Sequence, residues 1–448
     1  MSIPGLGQIP QQPETASTRI VALRPGWEWR FHAPTASPLA IKIVSGTAEK
    51  DGIELAPRST YTFRAARSRI LTWQGCEIEV DGRTDHDSVA PYASPAENPA
   101  NAVLNLHAQL NDMRAAAARE RREAPRVLVA GASSTGKTTA ARTLASYATR
   151  QGHQPLVVNL DPAEGMLSLP GSLSASVFAT VMDPEATDGW GGTPTSGPST
   201  VPVKLPLVYY YGAREPEKDP DFYRELASNL AGSVTGRLSE DEDVKRSGVI
   251  VDTMGVDGES ELGVELLSHI IEEFSINVIV VMGTPLLEQE LVKRFTGVKT
   301  SLGEPIDIVL LDKSDGVAHR DQNFMQHVRE ACIKEYFFGD ARRTLSPQIQ
   351  QSDFDSLVIY RASEIVLNGF AREEASVEMQ HWTFAIMSAG TRDLPDTVRA
   401  SSVVGFVYVS DVDEERKKIK LLAPVSGRLG DKPLVWGSWP EPYINLLG

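Results

Sequence analysis

The stretch Gly131-Ala132-Ser133-Ser134-Thr135-Gly136-Lys137-Thr138 has the residue types and the spacing of a loop that wraps phosphate. Gly131 and Gly136 let consecutive backbone N–H groups turn inward, and a helix that starts at the second glycine aims its free N–H groups at the same point. Lys137 places a cation on the outer phosphates, and the Thr138 hydroxyl is a ligand for Mg²⁺. Ser133, Ser134, Thr135 and Thr139 complete the expected contact set. The context is the required one: RVLVAG ahead of the loop reads as a buried strand, and TTAARTLASYATRQG behind it reads as a helix closed by Gly152.

Such a site also needs an acid beside the metal, normally at the end of a neighbouring strand. Asp161 closes PLVVNLD and Asp252 closes SGVIVDT, at the sheet edge where ligands bind in open α/β folds. A turn or helix cap is the other reading of either acid. Asp312-Lys313-Ser314-Asp315 follows the strand IDIVLL and resembles the base-reading [NT]-K-x-D of GTPases, with Asp in first place. A solvated turn is the reading taken for it, and ATP is expected over GTP.

These residues need a sheet to hold them. From Arg126 apolar strands alternate with helices (SGVIVDT, LGVELLSHIIEEF, INVIVVMG, LLEQELVKRF, IDIVLLD), which predicts a parallel sheet covered on both faces. Upstream, short alternating runs such as Leu39, Ile41 and Ile43 predict a small β-sandwich, followed by a linker over 84–100 and a helix over 101–122. After Gly339 the pattern returns to strands. The fold class expected is α/β: a central P-loop domain (101–339) between an N-terminal β-domain (19–100) and a β-rich α+β C-terminal domain (340–448). Residues 1–18 read as a flexible tail, and Glu185–Thr200 as a mobile, Gly/Pro-rich insertion.

At 448 residues with 59 acidic against 44 basic side chains, the formal charge is −15. That argues against a chain whose affinity comes from coating nucleic acid with cations. Two cysteines, Cys76 and Cys332, make neither a disulfide framework nor a zinc site, and point to a reducing compartment. No apolar run approaches the ~20 residues of a membrane span, and the N-terminus does not read as a signal peptide.

GASSTGKT, LDPAEGMLSLPG, PLVYYYG, IKEYFFG and VGFVYVSDVDEERKKIKLLAP, in that order and spacing, resemble the mRNA cleavage and polyadenylation factor family, the ATP-binding subunit of fungal cleavage factor IA. Animal relatives of that family are polynucleotide 5′-hydroxyl kinases. The resemblance runs from Ile20 to the C-terminus and includes GTAE (46–49) and TWQGC around Trp73. It implies an N-terminal domain that closes over the nucleotide base, with Glu28 and Arg67 carried over as contacts and Arg69 competing with Arg67. It implies as partner the cleavage factor IA scaffold subunit that binds the RNA polymerase II tail, together with other 3′-end processing subunits, and a nuclear location. RNA contact is open, and no membrane is involved.

Three departures separate this chain from the kinases. Asp161-Pro162-Ala163-Glu164 stands where they have Asp-Val-Gly-Gln, placing an acid where an amide was. In the lid segment 319–332, Arg320 and Arg329 remain, but Met325, Gln326 and Cys332 replace arginines. Val256 falls where an aromatic residue stacks on RNA. The reading adopted is therefore a non-catalytic, ATP- and Mg²⁺-binding assembly subunit, with Thr138, Asp161 and Asp252 at the metal. The rival is an RNA 5′-hydroxyl kinase using Asp161 and Arg329; a GTPase switch built on 312–315 is the third class. Trp382, Trp436 and Trp439 are interface anchors or, in the plainer reading, core.

Overall fold

The computed structural model describes residues 18–186, 189–190, 206–318, 320–340, 344–362, 370–424 and 432–447. The tail before Thr18, most of the expected insertion after Glu185, and His319 of the lid segment lie outside them. The described chain divides into two compact units: the residues up to Lys50 with Glu54–Glu97, and Asp51–Ile53 with Asn98 onward.

The first unit is a β-sandwich. One sheet orders the strands Arg19–Leu23, Cys76–Asp81, Leu39–Gly46 and Thr60–Phe63; the other includes Glu49–Lys50, Ala66–Leu71, Glu28–Ala33 and His86–Ala90. Strand alternation builds the core: Trp29 and Phe31 stack inward at 4.7 Å and meet Leu39, Ile41, Ile43, Ile78 and Val80, all buried. The expected linker over 84–100 contains a strand, His86–Ala90, which pairs antiparallel with Glu28–Ala33. Its sequence HDSVA lies on a mostly exposed edge, so no apolar alternation announces it. Asp87 anchors it, accepting from Arg19, Thr84 and the Trp29 indole. Burial alone would raise this carboxyl, but those bonds hold it down to about 2.

In the second unit the phosphate-loop strand Arg126–Ala130 lies near the middle of a seven-stranded sheet. The order is Leu207–Tyr210, Ser172–Val177, Leu156–Leu160, Val249–Thr253, Arg126–Ala130, Val278–Met282, Asp307–Leu311. The last five are parallel, as the apolar runs predict; the first two are antiparallel additions at one edge. Helices Pro220–Glu240 and Glu261–Glu273 contribute to the core on one face, and Lys137–Arg150 with Ala100–Glu120 to the core on the other. A fourth, mostly antiparallel sheet has Gln348–Asp353 and Phe370–Glu373 as its edge strands. Trp436 stacks on Phe384 and meets Trp382 edge-on within its core, so these two are packing residues rather than free anchors. No helix among the described residues is long and apolar enough to cross a membrane.

His107 on Ala100–Glu120 is buried between Tyr147 and Asn111, with Nδ1 unpartnered. Burial, then the charges of Arg114, His153 and Arg150, push its pKa down to about 4. An unfolded histidine protonates near 6.5, so between about pH 6.5 and 4 the unfolded chain holds the extra proton and stability falls as pH drops. Chemical denaturation of wild type and His107→Leu across that window should show a shallower pH slope in the variant.

Candidate nucleotide site

The loop after Arg126–Ala130 takes the conformation that its glycines permit. Gly131 has φ +145° and Gly136 φ +94°, and Ser134 between them is also left-handed at +58°. A Cβ on Gly131 would sit 2.6 Å from the Met282 carbonyl, so the first position admits no side chain. Helix Lys137–Arg150 begins at Gly136 with no side-chain cap, leaving its first-turn N–H groups for a ligand that arrives from outside. The Thr135 hydroxyl and the Lys137 ammonium both donate to the Ala132 carbonyl, at 2.9 and 3.0 Å, which folds the lysine over the loop mouth. Ser133 and Ser134 form the exposed tip.

Two strand ends bring acids to this mouth. Asp252 is buried; Thr138 donates to it, and its Oδ1 has no partner. Asp161 accepts from the Ala163 N–H at 2.9 Å in a turn braced by Asn159, whose Nδ2 donates to the carbonyls of Asp161 and Glu164. Burial and then the neighbouring Glu164 raise Asp161 to about 7, against the pull of Lys137. Burial raises Asp252 to about 6, although Thr138 and Lys137 oppose it. Among the described residues no three carboxylate, imidazole or thiol groups converge as a metal cage. A phosphate-bound divalent ion does not need one, since a hydroxyl, one or two carboxylates and the phosphates suffice. The unsatisfied Asp252 oxygen beside Thr138 fits that requirement.

Comparison with known proteins gives the family. Three family descriptions match successive parts of the chain: the N-terminal β-sandwich domain of polyadenylation factor (22–117), the mRNA cleavage and polyadenylation factor CLP1 P-loop (131–339), and the pre-mRNA cleavage complex II protein Clp1 (345–441). The chain is 50% identical over 463 residues, all of both chains, to the mRNA cleavage and polyadenylation factor CLP1 of Pyricularia oryzae. It is 46% identical, again over the whole of both chains, to that of Chaetomium globosum. The chain belongs to the CLP1 family of mRNA cleavage and polyadenylation factors.

Two solved CLP1 structures superpose at 30% identity. One is a wild-type Clp1p–Pcf11p complex, with TM-score 0.84 over 95% of this chain and 98% of that one. The other, with TM-score 0.85 over 95% and 99%, is described as an extended Pcf11p–Clp1p interface and the basis for ATP loss in a glycine-to-arginine mutant.

Against that CLP1 frame, the remaining expected site residues fall out unevenly. Lys137, Thr138, Asp161 and Asp252 come together at the loop mouth; Arg329 does not join them. It lies buried on helix Gln322–Phe338, bonded through Nε and Nη2 to the Glu441 carboxylate at 2.5–3.2 Å, with its guanidinium 4.4 Å from the Trp439 ring. Val256 is core, and its N–H donates to the Gly131 carbonyl. Within the first unit Glu28 is fully buried and is held by Arg30 and Arg69 at 2.5 and 2.7 Å, so Arg69, not Arg67, is the basic side chain paired with it. Arg67 faces His32 across the strand pair. Sequence reasoning missed the braces: Asn159, Thr253 donating to Val129, and Thr284 accepting from the Ala132 N–H at 2.9 Å. Their common signal is a short polar residue at or just beyond the C-terminal end of a buried strand.

Asp161→Asn keeps the acceptor for Ala163 but removes the charge that Glu164 and Asp252 repel. A raised carboxyl costs stability as pH climbs from about 4 through 7, so ligand-free Asp161→Asn should melt higher than wild type above pH 7, by about 1–2 kcal/mol, and equally below pH 4. In the first unit, Arg69→Ala leaves buried Glu28 with one partner fewer and should cost about 1–3 kcal/mol in denaturant titration. Arg67→Ala should cost less.

Proposed function

We propose that this chain is a nucleotide-dependent assembly subunit of the nuclear mRNA 3′-end cleavage machinery, in which ATP with Mg²⁺ is held as a structural cofactor and not turned over. One observation carries the reading: the groups that hold a triphosphate converge, while Arg329, the buried cation of the lid segment, is committed to Glu441 and Trp439. Lys137 and the inward backbone N–H groups hold the phosphates; Thr138, Asp252 and Asp161 would hold the ion. Transfer of a phosphoryl group also needs cations on the moving phosphate, each worth on the order of 10³ or more in rate. Met325, Gln326 and Cys332 do not supply them. A ligand that binds only the folded arrangement stabilises it by RT ln(1 + [L]/Kd), several kcal/mol when ligand is in large excess.

The partner in this reading is a Pcf11-like scaffold subunit that also engages the RNA polymerase II tail, in keeping with the two complexed CLP1 structures. Two measurements test the proposal. Protein purified without added nucleotide and then denatured should release intact ATP in near-stoichiometric amount; ADP would argue for turnover. Lys137→Ala combined with Thr138→Ala should empty the site and weaken scaffold binding at least tenfold. Unchanged affinity in a variant shown to be nucleotide-free would overturn the structural-cofactor role.

A specific observation keeps the kinase reading in view. Asp161, raised to about 7, has the protonation behaviour of a general base at neutral pH. Phosphate incorporation into 5′-hydroxyl RNA, lost in Asp161→Asn, would establish it.

A further inference from the structure

The seven-stranded sheet of the second unit ends on one side in Asp307–Leu311, and among the described residues no strand pairs with the outer side of this one. Two bonds fix its inner side: Asp307 N–H donates to the Asn277 carbonyl at 2.9 Å, and the Leu311 carbonyl accepts from Gly283 N–H at 2.7 Å. Backbone groups alternate along a strand, so Asp307, Val309 and Leu311 bond into the sheet, in parallel register with Val278–Met282. The N–H and C=O groups of Ile308 and Leu310 therefore point outward. Sheet edges are normally blunted by charge, proline or a bulge. This one is regular and reads DIVLL, with its single charge at the first position. Leu310 is 39% exposed, and Val298 and Leu302, in the loop leading into the strand, are 43% and 47% exposed. The other four parallel strands are buried throughout.

An edge of this kind is complementary to itself. An antiparallel copy centred opposite Val309 sets Ile308 of one chain against Leu310 of the other, where the two exchange both of their outward hydrogen bonds. The second Ile308–Leu310 pair, across the axis, does the same. Directly opposed side chains share a face, so each exposed Leu310 covers the half-buried Ile308 of the other copy. Charge follows the same symmetry. Lys299, bridged to Pro305, and Asp307 mark the start of the strand, and Asp312 and Lys313 follow its end. All four are exposed and without an ion-pair partner among the described residues. Antiparallel pairing turns Lys299 toward Asp312 and Asp307 toward Lys313 of the other copy. We propose that two copies of this chain associate through Asp307–Leu311, about a two-fold axis at Val309, joining their central sheets edge to edge. Each copy carries a formal charge of −15, so the association must work against net repulsion and depends on concentration.

Sedimentation velocity of the full-length chain, from about 1 to about 200 μM, reads the association directly. Wild type should pass from one copy to two across that range. Leu310→Pro removes an outward N–H and leaves the inner ladder, which uses Asp307, Val309 and Leu311, with its bonds; it should weaken association on the order of tenfold or more. Leu310→Lys keeps the backbone donor and charges the edge, so it should weaken association as well, and it stands in should the proline variant melt lower than wild type. Lys299→Glu should weaken association about fivefold, because two symmetry-related pairs are lost. Adding Asp312→Lys to it should recover most of that loss, since each altered end faces the altered end of the other copy. Protein that stays monomeric up to the highest concentration overturns the proposal. A dimer that neither Leu310→Pro nor Leu310→Lys weakens overturns it too, because the contact then lies elsewhere on the chain.

Discussion

A run of backbone N–H groups turned toward one point, with a helix start behind it and no side chain to cap it, creates a concentrated positive potential that only an anion satisfies. Most of what surrounds residues 131–138 serves to hold that arrangement. Gly131 and Gly136 permit the turn, Thr135 and Lys137 pin the Ala132 carbonyl, Thr284 takes the Ala132 N–H, and Val256 N–H takes the Gly131 carbonyl. The loop is thus held by its own backbone and side-chain bonds.

The acids beside it answer the opposite problem. Burial raises the carboxyls of Asp161 and Asp252, and the neighbouring Glu164 adds to both. A divalent ion with a triphosphate would compensate these acids, so ligand binding also settles the charges of the fold.

Arg329 shows why a residue's type is not its role. A lone arginine in a lid segment invites a catalytic reading, yet its guanidinium lies between the Glu441 carboxylate and the Trp439 ring, and it fastens helix Gln322–Phe338 to the C-terminal segment. The same segment is stitched to the central sheet: Ser438 and Trp439 N–H groups donate to the Gly212 carbonyl, and the Tyr210 hydroxyl to that of Trp439. Asp219 and Arg399 add a further ion pair between helix Pro220–Glu240 and the C-terminal part, with Arg399 over the Phe222 ring. These bonds account for the central and C-terminal parts forming one compact unit.

The phosphate loop was legible in the sequence because its chemistry is local: eight consecutive residues, a strand before and a helix after, carry all of it. The parallel strands and the ends that present Asp161 and Asp252 were legible for a related reason, since buried parallel strands must be apolar throughout and their last polar residue marks the edge. The strand His86–Ala90 was not, because an exposed edge imposes no pattern. Nor were the pairings between distant residues: Glu28 with Arg69 rather than Arg67, separated by 41 positions, and Arg329 with Glu441, separated by 112. Both arginines near Glu28 lie on the same strand face, and register and reach chose between them. Sequence determined which chemistry the chain carries, because residue type and short-range spacing fix that; tertiary structure decided which charges meet, because that depends on distances no local pattern encodes.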